Sequence, residues 1–230
     1  MDMRKTLGKF TTATGTLVFP LYLNDPDDKF DDSEDKIKFK ATIRLGGEEA
    51  AEFLKQTEET FAKWLEMVKA GTGKKPKTQV KNIQWYTPET KRWDDIGEST
   101  SRMLDEMQEG EAVFKLSSKA YRKQRDGTYL SQRPAIFDAQ GSIIEEAALP
   151  PIGFGSTAKV SGQWYGWTTK AGVASMSLLL HAVQLIDVRE PGQAGDKGAE
   201  DFGFSATEGF VSDAETFIET IKGGDKGGDF

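Results

Sequence analysis

The sequence predicts a mainly β fold: an OB-fold-like, five-stranded antiparallel barrel with one inserted α-helix and a flexible acidic C-terminal tail. Two long segments alternate between apolar and polar residues, which is the period of a strand with one buried face. Only one long segment repeats its apolar residues at helical spacing, so strands and helices do not alternate as in a parallel α/β sheet. Glycines at bend positions favour closure into a barrel, and a β-sandwich is the second alternative.

The first part of the chain favours extended structure. Residues 7–23 contain four threonines, one valine and two phenylalanines, and they predict a strand pair or one long bent strand. Gly15 suits a bulge or a sharp bend within it, a device by which small barrels close. The acidic residues at 24–35 predict a loop.

A clear strand and a clear helix follow. Residues 36–45 alternate strictly, which places Lys38 and Lys40 on a basic face opposite an apolar one. Residues 48–70 repeat apolar and aromatic side chains at helical spacing and are followed by glycines that end the helix. We expect the aromatic stripe of this helix to pack in the core.

Residues 69–92 form a basic segment with seven lysines or arginines, one acid and two aromatic residues, and Trp93 follows it. Gly73 and Lys74 do not make a phosphate-binding loop, because the flanking residues of that motif are missing. We expect a flexible basic loop that suits an unstructured polyanion. Its candidate binding residues are Lys74, Lys75, Lys77, Lys81, Trp85 and Tyr86.

The second alternating strand, residues 111–123, has an apolar side and a side that carries lysine and tyrosine. It leads into a hairpin turn predicted at Asp126–Gly127 and then into a short strand at 134–138. Two basic strand faces with a basic, aromatic segment between them favour a binding surface. The candidates in this region are Lys115, Lys119, Tyr121, Arg122, Lys123 and Arg125.

Two long strands are predicted at residues 157–168 and 172–188. Tyr165 and Trp167 share one face of the first strand, whereas Trp164 takes the other. His181, the only histidine, lies in an apolar run of the second strand. We expect it to be a packed strand residue rather than a metal ligand or a catalytic base.

The C-terminal part differs in composition from the rest. Residues 190–230 hold ten acids and three lysines, and so carry the whole formal charge of −7. Acidic, glycine-rich segments bury too little apolar surface to fold alone, so we expect a domain at residues 1–189 and a flexible acidic tail at 190–230. Phe230 behind Asp229 offers a protein partner an aromatic ring beside a carboxylate.

At this point the residues show a family resemblance. The runs LPPIGFGSTAKV at 149–160, AGVASMSLLL at 171–180 and VQLIDV at 183–188 resemble the last two barrel strands of the single-stranded DNA-binding proteins of T-seven-type bacteriophages. The ending Gly-Asp-Phe at 228–230 is similar to that family's C-terminus. The resemblance implies an OB-fold body that binds single-stranded DNA and a tail that contacts replication proteins through its terminal aromatic residue. It also allows a homodimer.

The function expected from these observations is sequence-independent binding of single-stranded DNA. Such a protein protects and organises single strands in phage DNA replication, recombination and repair, in the cytoplasm of the infected bacterial host cell. Its tail recruits replication proteins such as a DNA polymerase or a helicase-primase. We expect no cofactor, no metal and no membrane association.

The residues also allow two other classes of function. A metal-dependent nuclease would need clustered carboxylates, and the acidic pairs here are adjacent in sequence, so that on a strand they point to opposite faces. With no cysteine, one histidine and no recognisable nucleophile motif, we expect no enzyme. A structural β-protein, such as a capsid component, would not need basic strand faces that carry aromatic residues.

Binding of a single strand requires cations along the phosphates and aromatic rings on which bases stack. The candidates for phosphate contacts are Lys38, Lys40, Lys74, Lys75, Lys77, Lys81, Lys115, Lys119, Arg122, Lys123 and Arg125. The candidates for base stacking are Trp85, Tyr86, Tyr121, Tyr165 and Trp167.

Overall fold

The structure is a computed structural model that describes residues 3–28, 34, 36–80, 83–87, 92–95 and 111–191. For residues 79, 80, 83–87 and 92–95 it describes the backbone only. All of these residues belong to one compact unit, Met1–Gln193. Of the predicted tail, residues 192–230, with Asp229 and Phe230, lie outside the described residues.

The elements follow one another in chain order. The first five are β1 (Arg4–Thr11), β2 (Gly15–Asp27), β3 (Lys38–Gly46), α1 (Gly47–Thr72) and β4 (Lys77–Val80). The next five are β5 (Ile83–Thr87), β6 (Arg92–Asp95), β7 (Glu111–Lys119), β8 (Tyr121–Lys123) and β9 (Tyr129–Ser131). The last are β10 (Ala135–Phe137), a short 3₁₀ helix (Glu146–Ala148), β11 (Thr157–Thr168) and β12 (Val173–Asp187).

Five of these strands form a closed ring. In the ring β2 pairs with β3, β3 with β7, β7 with β12, β12 with β11, and β11 with β2. All of these pairings are antiparallel except the closing one, in which β7 and β12 run parallel and Ser117 pairs with Leu179. This ring confirms the predicted mainly β fold with a five-stranded barrel and one helix, and it excludes the β-sandwich alternative.

The remaining strands extend this sheet or lie beside it. The segment predicted as a strand pair or one long bent strand forms two strands, β1 and β2, which pair with β11 rather than with each other. β4 and β10 run parallel to β12, β5 pairs with β7, and β6 pairs with β5. β8 and β9 form a separate hairpin, with Gly127 at φ 89° in the predicted turn.

The barrel interior is filled by the apolar faces that the alternation predicts. Phe39, Ile43, Phe114 and Leu116 are each at most 3% exposed. The chains approach one another closely where a side chain is missing: a Cβ on Gly162 would lie 2.1 Å from the backbone oxygen of Leu179. Only glycine permits this spacing between β11 and β12.

The helix α1 packs on the barrel core through its aromatic stripe, as predicted. The ring of Phe53 lies against those of Phe10 and Phe114, at centroid distances of 5.0 and 4.7 Å. The indole nitrogen of Trp164 donates a hydrogen bond to the Thr57 hydroxyl at 3.1 Å. Gly73 ends the helix in the left-handed conformation, and its N–H donates to the backbone oxygen of Lys69.

Three expectations are wrong. The basic segment predicted as a flexible loop contains strands β4 and β5, because β12 and β7 offer ladder partners that local composition does not reveal, and β6 begins at its end and pairs with β5. The acidic segment predicted as a loop begins with the end of β2, where Asp27 pairs with Lys38. His181 lies in β12 as predicted, but its side chain is exposed rather than packed.

Within the part of the chain that the structure describes, no helix is long and apolar enough to cross a membrane.

Candidate nucleic-acid interface

The outer face of β3 and β7 carries a cluster of lysines. In the antiparallel register Lys38 lies opposite Lys119, and Lys115 lies opposite Thr42. Opposed residues project to the same face, and Lys38 and Lys119 project away from the buried Phe39. Like charges directly opposite each other, with Cβ atoms ~4.5–5.5 Å apart, destabilise a sheet, so this arrangement favours an anionic ligand.

The outer face of β11 and β12 carries the aromatic residues. Tyr165 pairs with Ser177, and Trp167 pairs with Arg4 of β1. The indole nitrogen of Trp167 donates a hydrogen bond to the Ser177 hydroxyl at 3.1 Å, which holds the ring orientation. Both rings are half-buried, so that part of each is open to solvent.

The parallel seam between β7 and β12 brings the lysines and the aromatic rings together. A cleft of about 370 Å³ spans the seam and is lined by Arg4, Lys38, Ser117, Ser118, Lys119, Tyr165, Trp167, Ser177 and Leu179. A second cleft of about 240 Å³ is lined by Pro20, Lys38, Lys40, Thr42, Lys115, Leu116 and Ser117. The clefts share Lys38 and Ser117, so we treat them as one channel and call these residues together the barrel groove.

The electrostatic character of the barrel groove is cationic. Of the described residues that line it, five are lysine or arginine and none is acidic. Lys40 forms an ion pair with Asp27 and lies 5.5 Å from the centre of the Tyr22 ring, so part of its charge is already balanced. A groove with cations, aromatic faces and serine hydroxyls can bind phosphates and unstacked bases together.

The structure places the predicted site residues in several locations. Those in the barrel groove are Lys38, Lys40, Lys115, Lys119, Tyr165 and Trp167. Lys74 and Lys75 follow the end of α1 and are exposed, and Lys77 begins β4. Trp85 and Tyr86 lie in β5, where only the backbone is described, and Lys81 lies outside the described residues.

The remaining predicted residues belong to the β8–β9 hairpin. Tyr121 is partly buried and packs against the core. Arg122, Lys123 and Arg125 are exposed, and the Lys123 ammonium lies 5.6 Å from the centre of the Tyr129 ring. The alternating pattern predicted one continuous strand through Lys123, but β7 ends at Lys119, so Lys123 does not line the groove.

Sequence reasoning missed several groove residues. Ser117 stands in the same alternation as the predicted lysines and could have been chosen on that signal. Arg4, Ser177 and Leu179 reach the groove only through the register of β1 and β12, and nothing local indicates them. Pro20, Thr42, Leu116 and Ser118 complete the missed set.

No group of three or more histidine, cysteine, aspartate or glutamate residues within the described ranges is arranged to hold a metal ion.

Comparison with solved structures finds the same fold in two phage proteins. One is gp2.5, a single-stranded DNA-binding protein encoded by bacteriophage T7: TM-score 0.56, 20% identity, 89% of this chain and 98% of that chain covered. The other is the single-stranded DNA-binding protein of bacteriophage Enc34 in complex with single-stranded DNA: TM-score 0.51, 14% identity, coverage 80% and 89%. No protein-family model matches the chain, and no curated sequence matches it significantly. At these identities the similarity establishes a shared fold, and it is the fold that the resemblance predicted.

Proposed function

We propose that this protein binds single-stranded DNA without sequence preference, and that it does so in the barrel groove. The single observation that carries the proposal is that Lys38 and Lys119 face each other beside Tyr165 and Trp167 in one cleft. The shared fold supports it, since both phage proteins are single-stranded DNA-binding proteins and one was solved with single-stranded DNA bound.

The groove residues contact two different parts of the DNA, the phosphates and the bases. Lys38, Lys115 and Lys119 neutralise successive phosphates, which releases counterions and makes the affinity depend on salt. Tyr165 and Trp167 stack on bases through their faces, and every base has such a face. Binding by charge and stacking therefore accepts any sequence. The exposed cations Lys74, Lys75, Lys77, Arg122, Lys123 and Arg125, and with them Lys81, Trp85, Tyr86 and Tyr121, remain candidates for a longer contact path.

We further propose the biological role that this binding serves. The protein coats single strands in phage DNA replication, recombination and repair in the infected host cell, and it performs no catalysis. The acidic segment 190–230 recruits replication proteins, with Asp229 and Phe230 as the contact residues. The support for this part is the composition of the segment and the family resemblance of the sequence.

The test uses fluorescence anisotropy to measure how tightly the full chain binds labelled oligothymidylate at several salt concentrations. We expect log affinity to fall with log salt with a slope of ~0.7 per phosphate neutralised. Lys38→Ala with Lys119→Ala should weaken binding and lower this slope by about 1.4, the sum for two phosphates. Lys55→Ala with Lys63→Ala, which removes two exposed lysines from α1, is the matched control and should leave both unchanged.

Three outcomes would contradict the proposal. A flat salt response or stronger binding of duplex DNA would exclude the groove as a single-strand site. Equal losses in the groove variant and the control variant would show that only net charge matters. Cleavage of the oligonucleotide in the presence of Mg²⁺ would favour the nuclease alternative.

A further inference from the structure

Two phenylalanine rings lie in contact on the surface at one end of the barrel groove. Phe19 is 67% exposed and Phe154 is 55% exposed. Their centroids lie 5.9 Å apart and their planes meet at 81°. Single exposed apolar residues are common, but two aromatic rings held together in water present a small apolar platform that a ligand can cover.

Backbone hydrogen bonds bring the segments of Phe19 and Phe154 together. The N–H of Leu17 donates to the backbone oxygen of Ser156 at 2.8 Å, and the N–H of Gly155 donates back to that of Leu17 at 2.9 Å. These two hydrogen bonds connect the turn that contains Phe154 to β2, which contains Phe19. The backbone segments that carry the two rings are therefore held next to each other.

The exposure of Phe19 is contrary to strand alternation. Leu17 and Leu23 of β2 are buried in the core, and strict alternation would place Phe19 beside them. The pairing of β2 with β3 shifts register between Val18 and Tyr22. Since bulges redirect side chains, this irregularity accounts for the outward position of Phe19.

The platform is continuous with the groove. Pro20, the next residue after Phe19, lines the smaller cleft together with Lys40 and Lys115. The Thr42 hydroxyl, also in that cleft, donates to the backbone oxygen of Pro20 at 2.7 Å. A DNA single strand that runs along the lysines of β3 and β7 would therefore reach Phe19.

A cation accompanies the rings. A Cβ on Gly155 would lie 3.2 Å from the Arg189 Cδ and 3.6 Å from a guanidinium nitrogen, so this side chain lies against the residue that follows Phe154. The Arg189 backbone is held by the same turn, since its N–H donates to the Ser156 hydroxyl at 3.0 Å and its carbonyl accepts from Gly153 at 2.6 Å. An arginine beside aromatic rings can hold a phosphate while a ring stacks on the base.

We propose that Phe19, Phe154 and Arg189 form an additional nucleotide-binding contact that continues the barrel groove at its Pro20 end. The inference rests on the proposed function and extends it to residues that neither the sequence patterns nor the groove included. The occupant is one nucleotide of the bound single strand, with its base on a phenylalanine ring and its phosphate on the guanidinium.

The small size of the platform favours a nucleotide over a second protein. A stable protein interface buries about 800 Å² on each partner. Two phenylalanine side chains, even if fully covered, supply less than about 400 Å². A single base covers an area of this kind, and the neighbouring lysines and arginine match the charge of its backbone.

The experiment compares two oligothymidylates, of about 4 and about 16 nucleotides, which span the range of site sizes seen for OB folds. The full chain is compared with Phe19→Leu/Phe154→Leu, which keeps apolar side chains and removes the rings. We expect about tenfold weaker binding of the long oligonucleotide, the order expected for the loss of one stacked base, and no change for the short one. Arg189→Ala should lower the salt slope for the long oligonucleotide by ~0.7.

Ile143→Ala is the control, because Ile143 is another large apolar residue, 60% exposed, that lines neither cleft. The Ile143→Ala variant should bind both oligothymidylates with the same affinity as the unaltered chain. Thermal unfolding of each variant checks that the fold is retained, and the high exposure of both rings leads us to expect no loss of stability.

The outcomes separate this inference from the proposed function. If the unaltered chain binds neither oligonucleotide, the proposed function itself is wrong. If it binds both and the double variant matches it at both lengths, the platform does not contact DNA. If the double variant changes the sedimentation of the protein but not its DNA affinity, the rings form a contact between copies of this chain, and the inference is overturned.

Discussion

Individual residues of the groove show a conflict between stability and binding. Lys38 faces Lys119 across the β3–β7 ladder, although a neutral pair would suit an isolated sheet better. Asp27 lies opposite Lys38 in the β2–β3 ladder, and its carboxylate forms an ion pair with Lys40. This negative charge partly offsets the repulsion between Lys38 and Lys119. The remaining positive potential is the feature that a phosphate backbone can use.

A second residue-scale feature is the turn of the β8–β9 hairpin. The hydroxyl of Thr128 donates to the Asp126 carboxylate at 2.6 Å, and its backbone N–H donates at 2.9 Å. Both bonds favour the charged form, the hydroxyl more strongly, and they lower the pKa of Asp126 below its ordinary value of 3.8. Because the folded pKa is depressed, the contribution of this turn is present above pH 3.8 and is lost as the pH falls through the folded pKa.

We predict that Thr128→Val raises the pKa of Asp126 towards its ordinary value, because the valine removes the hydroxyl donor and keeps the branched shape. NMR titration of the Asp126 carboxyl in both proteins measures this change. The other carboxyls in the same spectra are the internal reference and should not move. An unchanged Asp126 titration would show that the backbone bond alone sets the pKa.

At the scale of elements, the close packing of β11 against β12 depends on a glycine. Gly162 of β11 stands where a Cβ would lie 2.1 Å from the Leu179 backbone oxygen and 2.9 Å from the Phe10 ring. The neighbouring backbone belongs to β12, whose partner β7 closes the barrel. A displacement of β12 at Leu179 would therefore change the shape of the barrel groove, because Leu179 lines the groove.

We predict that Gly162→Ala destabilises the fold by ~1–3 kcal/mol, the usual cost of forcing extra volume into a packed interior. Thermal or denaturant unfolding measures the loss. Gly46→Ala is the matched control: Gly46 ends β3, a Cβ added to it would meet no atom within 4 Å, and its φ of −120° is one that any residue adopts. Equal stability of the two variants would contradict the close approach of β11 and β12.

At the scale of the whole molecule, charge is divided unevenly. Residues 190–230 carry the formal charge of −7, while the rest of the chain is neutral. The barrel groove nonetheless concentrates five cations on one face without an acid among its described lining residues. An acidic segment on the same chain as a cationic groove can compete with DNA for it.

We predict that deletion of residues 194–230, which leaves the compact unit Met1–Gln193, tightens binding of single-stranded DNA, most strongly at low salt. The deletion removes nine acids and three lysines. Anisotropy titrations of both proteins across a salt series measure the change. Weaker binding by the shortened protein would show instead that the acidic segment contributes to the DNA site.

The sequence alone determined which side chains share a strand face and where the helix lies. Lys38, Lys40, Lys115, Tyr165 and Trp167 were found because alternation of period two is a local property: it fixes which side chains share a face within one strand. The helix over α1 followed from the same kind of local periodicity. The strand pattern also predicted the barrel, and the resemblance identified residues 149–188 with its final two strands.

Only the tertiary structure decided which faces form one site. Arg4 reaches Trp167 through the pairing of β1 with β11, and Ser117 meets Leu179 through the parallel seam that closes the barrel. β4 and β5, which lie in the segment 69–92 that was predicted as a loop, form because β12 and β7 offer them ladder partners. Phe19 leaves the core at a register shift between β2 and β3, which is a property of the pairing of the two strands. Each of these results depends on pairing between distant segments, and pairing is set by the barrel's closure rather than by local sequence.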